Sequence, residues 1–188
     1  MKRFTYAEEM IQDKDGSETA KQVLNSIAKE RHASIMVVGQ HGRKGPKEDP
    51  TVMGSAVQYL SLHSVAPVLI IKDPKQRKDR PNGYNMGLCS DGSNRSFEAL
   101  ELMCQMRKPV DKIHVIVCEQ ANIDTEKIKK SISDTLEEKN CLDVSTIHIL
   151  KSEYGKKAKD IIREFLMEKS DDYIDFIFVG NHGADFSG

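Results

Sequence analysis

The chain is expected to form a doubly wound α/β fold around a parallel sheet, and three features lead there. Its strand candidates are apolar without polar alternation: IMVVG (35–39), APVLIIK (66–72), IHVIVCE (113–119) and IDFIFVG (174–180). Strands apolar on both faces belong in a parallel sheet covered by helices. Helical apolar stripes alternate with those strands, the pattern of right-handed crossovers. Finally, two distant segments repeat one another.

Taken in order, a weaker strand is expected at 3–10. Ser17 is a candidate N-cap for the helix whose stripe is Ala20, Val23, Leu24, Ile27 and Ala28. Strand 35–39 then runs into a glycine-rich loop, a helix beginning near Gly54 and Ser55, and strand 66–72. KDPKQRKDRPN (72–82) is charged, holds two prolines and has no apolar stripe, so it reads as a linker. A weaker strand at 84–90 precedes an amphipathic helix over 94–106 and strand 113–119. A second amphipathic helix covers 124–139, its KIKKSISDTLEEK stretch a solvated face of i, i+4 charge pairs. A weaker strand at 144–151, the stripe Ala158, Ile161, Ile162, Phe165 and Leu166, and strand 174–180 complete the series.

The repeat pairs GSETAKQVLNSIAKERHASIMVVGQHG (16–42) with YGKKAKDIIREFLMEKSDDYIDFIFVGNHG (154–183). Each runs through AK, the apolar stripe, a β-run and VG-x-HG, and the second carries a three-residue insertion around Ser170–Tyr173. The period is about 140 residues, one domain length. The expected organisation is the carboxyl-terminal half of one domain over 1–73, a linker over 74–83 and the amino-terminal part of a second domain over 84–188.

Bulk composition narrows the function classes. A chain of 188 residues suits one large domain or two small ones. A net charge of −1 supplies no field to draw nucleic acid or acidic membranes. No apolar run approaches the roughly 20 residues of a membrane span, and MKRFTYAEEM lacks the apolar core of a signal peptide. Cys89, Cys104, Cys118 and Cys141 form no CxxC pair and read as reduced, mostly buried thiols of a cytoplasmic protein. The six histidines show no metal-ligand spacing.

The glycine loop carries the chemistry. Gly39, Gly42 and Gly45 follow a parallel strand, and Gly54 and Ser55 open the next helix. Glycines let backbone N–H groups approach an anion, and a helix N-terminus adds donors and partial positive charge. Such a site falls at the carboxyl ends of the strands. The same glycines also serve a long turn for backbone reasons alone, and the loop is neither a Walker A motif nor a GxGxxG fingerprint. His41 and His182 read as turn histidines, since no nucleophile or partner accompanies them. Arg43 and Lys44 either reach phosphate or stay in solvent. Ser90-Asp91-Gly92-Ser93 also reads as a turn and N-cap.

VVGQHGRKG…MGSAVQYL followed by SVAPVLIIK resembles the signature end of the universal stress protein family. MGLCSDGSNRSFEAL (86–100) resembles that family's first strand and DGS turn, and HVIVCE its second strand. The resemblance implies a flavodoxin-like, Rossmann-like sheet of order 3-2-1-4-5 in a tandem-domain member. It implies an adenine nucleotide, ATP, held on the loop, with Gly39 and Gly42 as the G-x2-G pair and Gly54 and Ser55 meeting the phosphates. It further implies that Asp91 contacts the adenosine part, that Val117 and Cys118 lie at the strand end lining the adenine pocket, and that Gly180 and Gly183 begin the second copy's loop.

Two departures bear on this. Eleven residues separate Gly42 from Gly54, longer than the family's spacer, and the excess brings Glu48 and Asp49, whose carboxylates repel a triphosphate unless Mg²⁺ intervenes. The complete loop also belongs to the first copy and Asp91 to the second. A working site would then need a permuted assembly within one chain, a second chain, or a longer parent. A permuted assembly faces a competitor, because 174–179 is the natural neighbour of strand 84–90. Two functions follow: a nucleotide-binding stress or signalling module with at most slow ATP hydrolysis, or the same fold without nucleotide, acting through dimerisation or protein partners. A true enzyme, such as an adenylate-forming ligase, finds no catalytic constellation. Unpaired strand edges predict a homodimer or aggregation.

Overall fold

The computed structural model describes residues 19–41, 52–72, 80–119, 124–168 and 174–181. They fall into two units, 19–72 and 80–181. The strand expected at 3–10 and Ser17 lie outside the described residues.

The first unit runs α1 (Ala20–Glu30), β1 (Met36–Gly39), α2 (Ser55–His63) and β2 (Val68–Ile71). The N-cap of α1 is Thr19 rather than Ser17. Thr19 N–H donates to Gln22 Oε1 at 2.9 Å and its hydroxyl donates to the same oxygen at 2.6 Å. These bonds satisfy groups at the start of the helix. At the other end His32 adopts φ 49, and Ala33 N–H returns to Ala28 O at 2.9 Å. That left-handed step turns the chain out of the helix and into β1.

Strands β1 and β2 pair in parallel, Met36 opposite Val68 through Gly39 opposite Ile71. Helix α2 joins them as a crossover. The Asn25 side chain ties α1 to the end of α2, donating to His63 O at 2.9 Å and accepting from Val65 N–H at 3.2 Å. Ala28, Val57, Leu60 and Ala66 are buried in this unit. Ser64, the C-cap of α2, donates to Met36 Sδ at 3.1 Å. The helices therefore cover the sheet face that bears Met36 and Val38, and Val37 on the other face is 62% exposed.

The second unit runs β3 (Asn85–Ser90), α3 (Asn94–Met106), β4 (Lys112–Cys118), α4 (Thr125–Glu138), a short 3₁₀ turn, β5 (Ser145–Leu150), α5 (Ala158–Glu168) and β6 (Phe176–Val179). Its sheet is parallel throughout, in the order β5-β4-β3-β6. Numbered within this unit, that order is 3-2-1-4. Strand 174–179, the natural neighbour named from the sequence, is the one that pairs with β3.

One face of this sheet and helices α3 and α4 enclose the core, centred on Leu88, Leu100, Met103, Val115, Ile132 and Leu136. Phe176 and Phe178 pack against it from β6. Helix α5 lies on the opposite face, where the Phe165 ring sits 5.1 Å from the His148 ring. Ser93 caps α3 by accepting from Ser96 N–H at 3.3 Å, and Asp124 caps α4 by accepting from Lys127 N–H at 3.0 Å.

Of the linker expected over 74–83, residues 74–79 lie outside the described residues. Arg80 Nε pairs with Asp175 Oδ1 at 2.8 Å, and Asp175 Oδ2 accepts from Asn85 N–H at 2.8 Å. This part-buried ion pair, with side chains 22% and 13% exposed, ties Arg80 to the second unit.

Candidate functional site

In the first unit the loop's two ends meet at one residue. Gln40, which follows β1, donates its N–H to Ile71 O at 2.9 Å and accepts from Gly54 N–H at 3.0 Å. Gly54 is the N-cap of α2, with φ −62 and no side-chain cap. This places Gly39, Gly54 and Ser55 together at the carboxyl end of the β1–β2 pair. The first turn of α2 thus opens from a residue with no side chain, unlike α3 and α4, whose caps are Ser93 and Asp124. An uncapped helix start of this kind suits an anion, since backbone N–H groups point outward along the axis. Gly42, Gly45, Arg43, Lys44, Glu48 and Asp49 lie outside the described residues.

In the second unit the corresponding corner lies at the ends of β3 and β6. The Asp91 carboxylate accepts from Ser93 N–H at 3.0 Å and from the Ser93 hydroxyl at 2.6 Å. Gly92 takes φ 79, and a Cβ there would sit 2.5 Å from Ile128 Cδ1. Gly180 lies directly against the first turn of α3, where a Cβ would come within 2.7 Å of Arg95 C and Ser96 N. Asp91 and Gly180 therefore flank the same helix start. The Val117 side chain is 1% exposed and belongs to the core. Cys118 is also buried, and burial followed by the Glu119 charge pushes its thiol pKa up. Gly183 and His182 lie outside the described residues.

Two pairings were not visible in the sequence. His114 Nδ1 and His148 Nε2 meet at 3.2 Å, with rings stacked at 20°. Burial lowers the His114 pKa from 6.5, and the charges of His148 and Lys112 lower it further. Cys104 lies against Cys141: burial and then the hydrogen bond with Cys141 push the Cys104 thiol up to about 12. Arg107 Nε donates to Cys141 Sγ at 3.1 Å. Both pairs join residues more than thirty positions apart, and only the strand register and helix packing bring them together. Nothing in local periodicity signals them.

The chain was compared with known proteins. Residues 7–72 match the model of the universal stress protein family. That segment is about a third of the chain, and over it the chain is similar to the universal stress protein family. The match ends at Lys72, one residue beyond β2, and so takes in the whole first unit with its glycine loop. The alternation of helices with parallel strands is consistent with a flavodoxin-like α/β fold. No curated protein matches the chain. Among solved structures, a crystal structure of protein Rv1636 from Mycobacterium tuberculosis H37Rv is similar at 14% identity, with a TM-score of 0.44. That alignment covers 55% of this chain and 75% of the other.

Proposed function

We propose that the chain works as a universal stress protein and binds ATP or a related adenine nucleotide on the loop from Gly39 to Ser55, as a cytoplasmic stress or signalling module. The observation that carries the reading is the convergence of Gly39, Gly54 and Ser55 on an uncapped helix start at the carboxyl ends of parallel strands. In this reading Gly42 and Gly45 extend the backbone cradle, and the Ser55 hydroxyl adds a donor to the phosphates. Mg²⁺ offsets the charges of Glu48 and Asp49. The residues present offer binding and no catalytic constellation, so hydrolysis is at most slow and incidental.

The corner formed by Asp91, Val117, Gly180 and Gly183 is the second copy's version of the site. A structural role for it is favoured by two observations: the Asp91 carboxylate is held by Ser93, and Gly180 meets a steric demand of α3. A universal stress protein acting without nucleotide, through dimerisation or protein partners, is the alternative that such a role supports.

Calorimetric titration with ATP and Mg²⁺ tests the proposal. Wild-type protein should release heat, Gly54→Val should release none, and Ser55→Ala should bind more weakly. Asp91→Ala measures whether the second corner contributes to the total. A flat wild-type titration ends the nucleotide reading and leaves the alternative.

A further inference from the structure

Glu101 and Cys104 lie one turn apart near the end of α3, and Arg107 is its C-cap. The outer two of these residues reach the same short turn after α4. Lys139 Nζ pairs with Glu101 Oε1 at 3.4 Å. Arg107 donates through Nη2 to Asn140 O at 3.3 Å and through Nε to Cys141 Sγ at 3.1 Å. Side chains three apart on a helix share a face, so Cys104, midway between them, faces the same turn and is hydrogen-bonded to Cys141.

Cys141 is also held from its own side. Asn140 takes φ 54 where α4 ends, Cys141 N–H returns to Leu136 O at 2.8 Å, and the Ser145 hydroxyl donates to Cys141 O at 2.6 Å. Thiols in contact on anchored backbones are the pairs that can close to a disulfide without the chain moving far. The two sulfurs differ in access: Cys141 is 1% exposed, whereas Cys104 is part-exposed.

We infer that Cys104 and Cys141 form a redox modification site, oxidised to an intrachain disulfide by a low-molecular-weight disulfide such as oxidised glutathione. The Cys104 thiolate attacks one sulfur of the reagent, breaks its S–S bond and releases one thiolate. Cys141 then gives up its proton and attacks the Cys104 sulfur, expelling the second. The two protons lost by the protein end on two reduced glutathione molecules, which also carry the two electrons. Arg107 is a positioning residue, because its N–H already points at the sulfur that must bear charge in the second step. The product staples the last turn of α3 to the turn between α4 and β5, closing a loop of more than thirty residues around the core. Disulfides that arise in a reducing compartment are usually transient and redox-sensing.

Nucleotide plays no part in this chemistry, so a flat ATP titration leaves it standing. Folded protein is incubated with oxidised glutathione, alkylated and digested. Peptide mass spectrometry should find Cys104 joined to Cys141, with Cys89 and Cys118 alkylated; Cys89 stands opposite Ile116 in the sheet, not Cys118. Dithiothreitol should reverse the link, and the linked form should melt about 5 °C or more above the reduced one. The Cys104 thiol is pushed up to about 12, so closure should quicken about tenfold per pH unit from roughly pH 8 to pH 10, where an ordinary thiol levels off near 8.5. Cys141→Ser should stop at glutathione on Cys104. Arg107→Gln should slow closure severalfold and let that adduct accumulate, with the circular dichroism spectrum unchanged. Four free thiols in the treated wild type overturn the proposal, and so does glutathione that settles on Cys104 without closure. A rate that levels off near pH 8.5 overturns Cys104 as the sulfur of entry.

Discussion

Gly39 and Gly180 hold the same place in the repeat, yet their surroundings ask different things of them. A methyl group on Gly180 would stand 2.7 Å from the backbone of Arg95 and Ser96, which cannot move without shifting α3. Gly180→Ala should therefore destabilise the second unit by about 1–3 kcal/mol. Gly39→Ala meets only an ordinary contact and should be neutral or slightly stabilising, since it also restricts the unfolded chain. Paired thermal denaturation of the two variants checks the contrast, and equal losses would contradict it. Both glycines were legible in the sequence as loop markers after a strand. Why each is glycine was not, because the answer for Gly180 lies in a helix that begins more than eighty residues earlier. Asp91 is similar: its DGS turn is plain in the sequence, but only the structure shows the carboxylate spent on Ser93.

Strand β5 and helix α5 share a face of the sheet with the His114–His148 pair, which gives that layer a pH dependence. His114 faces His148 from β5 and Lys112 on its own strand, and Phe165 of α5 closes over His148. The His114 pKa is lowered from 6.5 in the folded state, so the unfolded chain binds the proton more readily. The associated stability is fully present above about 6.5 and is lost as pH falls from there through the folded pKa. Melting temperature should drop over that window in wild type and drop less in His114→Gln; parallel curves would refute the assignment. At this scale the sequence was most readable. Helix 94–106 was bounded by its own Ser93 cap and apolar stripe, and the strands at 113–119 and 174–180 by their unbroken apolar runs. The start of α1 was misplaced because Thr19, not Ser17, has Gln22 three residues ahead. The histidine pair was missed because parallel register cannot be derived from either strand alone.

Across the whole molecule the two units are unequal. The second has a four-stranded sheet with a continuous core between it and α3 and α4. Among the described residues the first has a two-stranded sheet with helices on one face, an arrangement near the lower limit of independent stability. Amide hydrogen exchange should accordingly protect β3, β4 and β5 longer than β1 and β2, and the reverse order would contradict this account. The repeat itself was readable as a series ending in VGQHG and VGNHG. Which face of each copy is roofed was not, since that depends on which helices accompany the repeat in each unit. One small link in the first unit reaches further than its size suggests. Gln40 grips Ile71 with its amide and Gly54 with its carbonyl, so a single peptide shackles the segment that leaves β1 to the segment that returns at α2. Residues spliced in between would leave both anchors where they are.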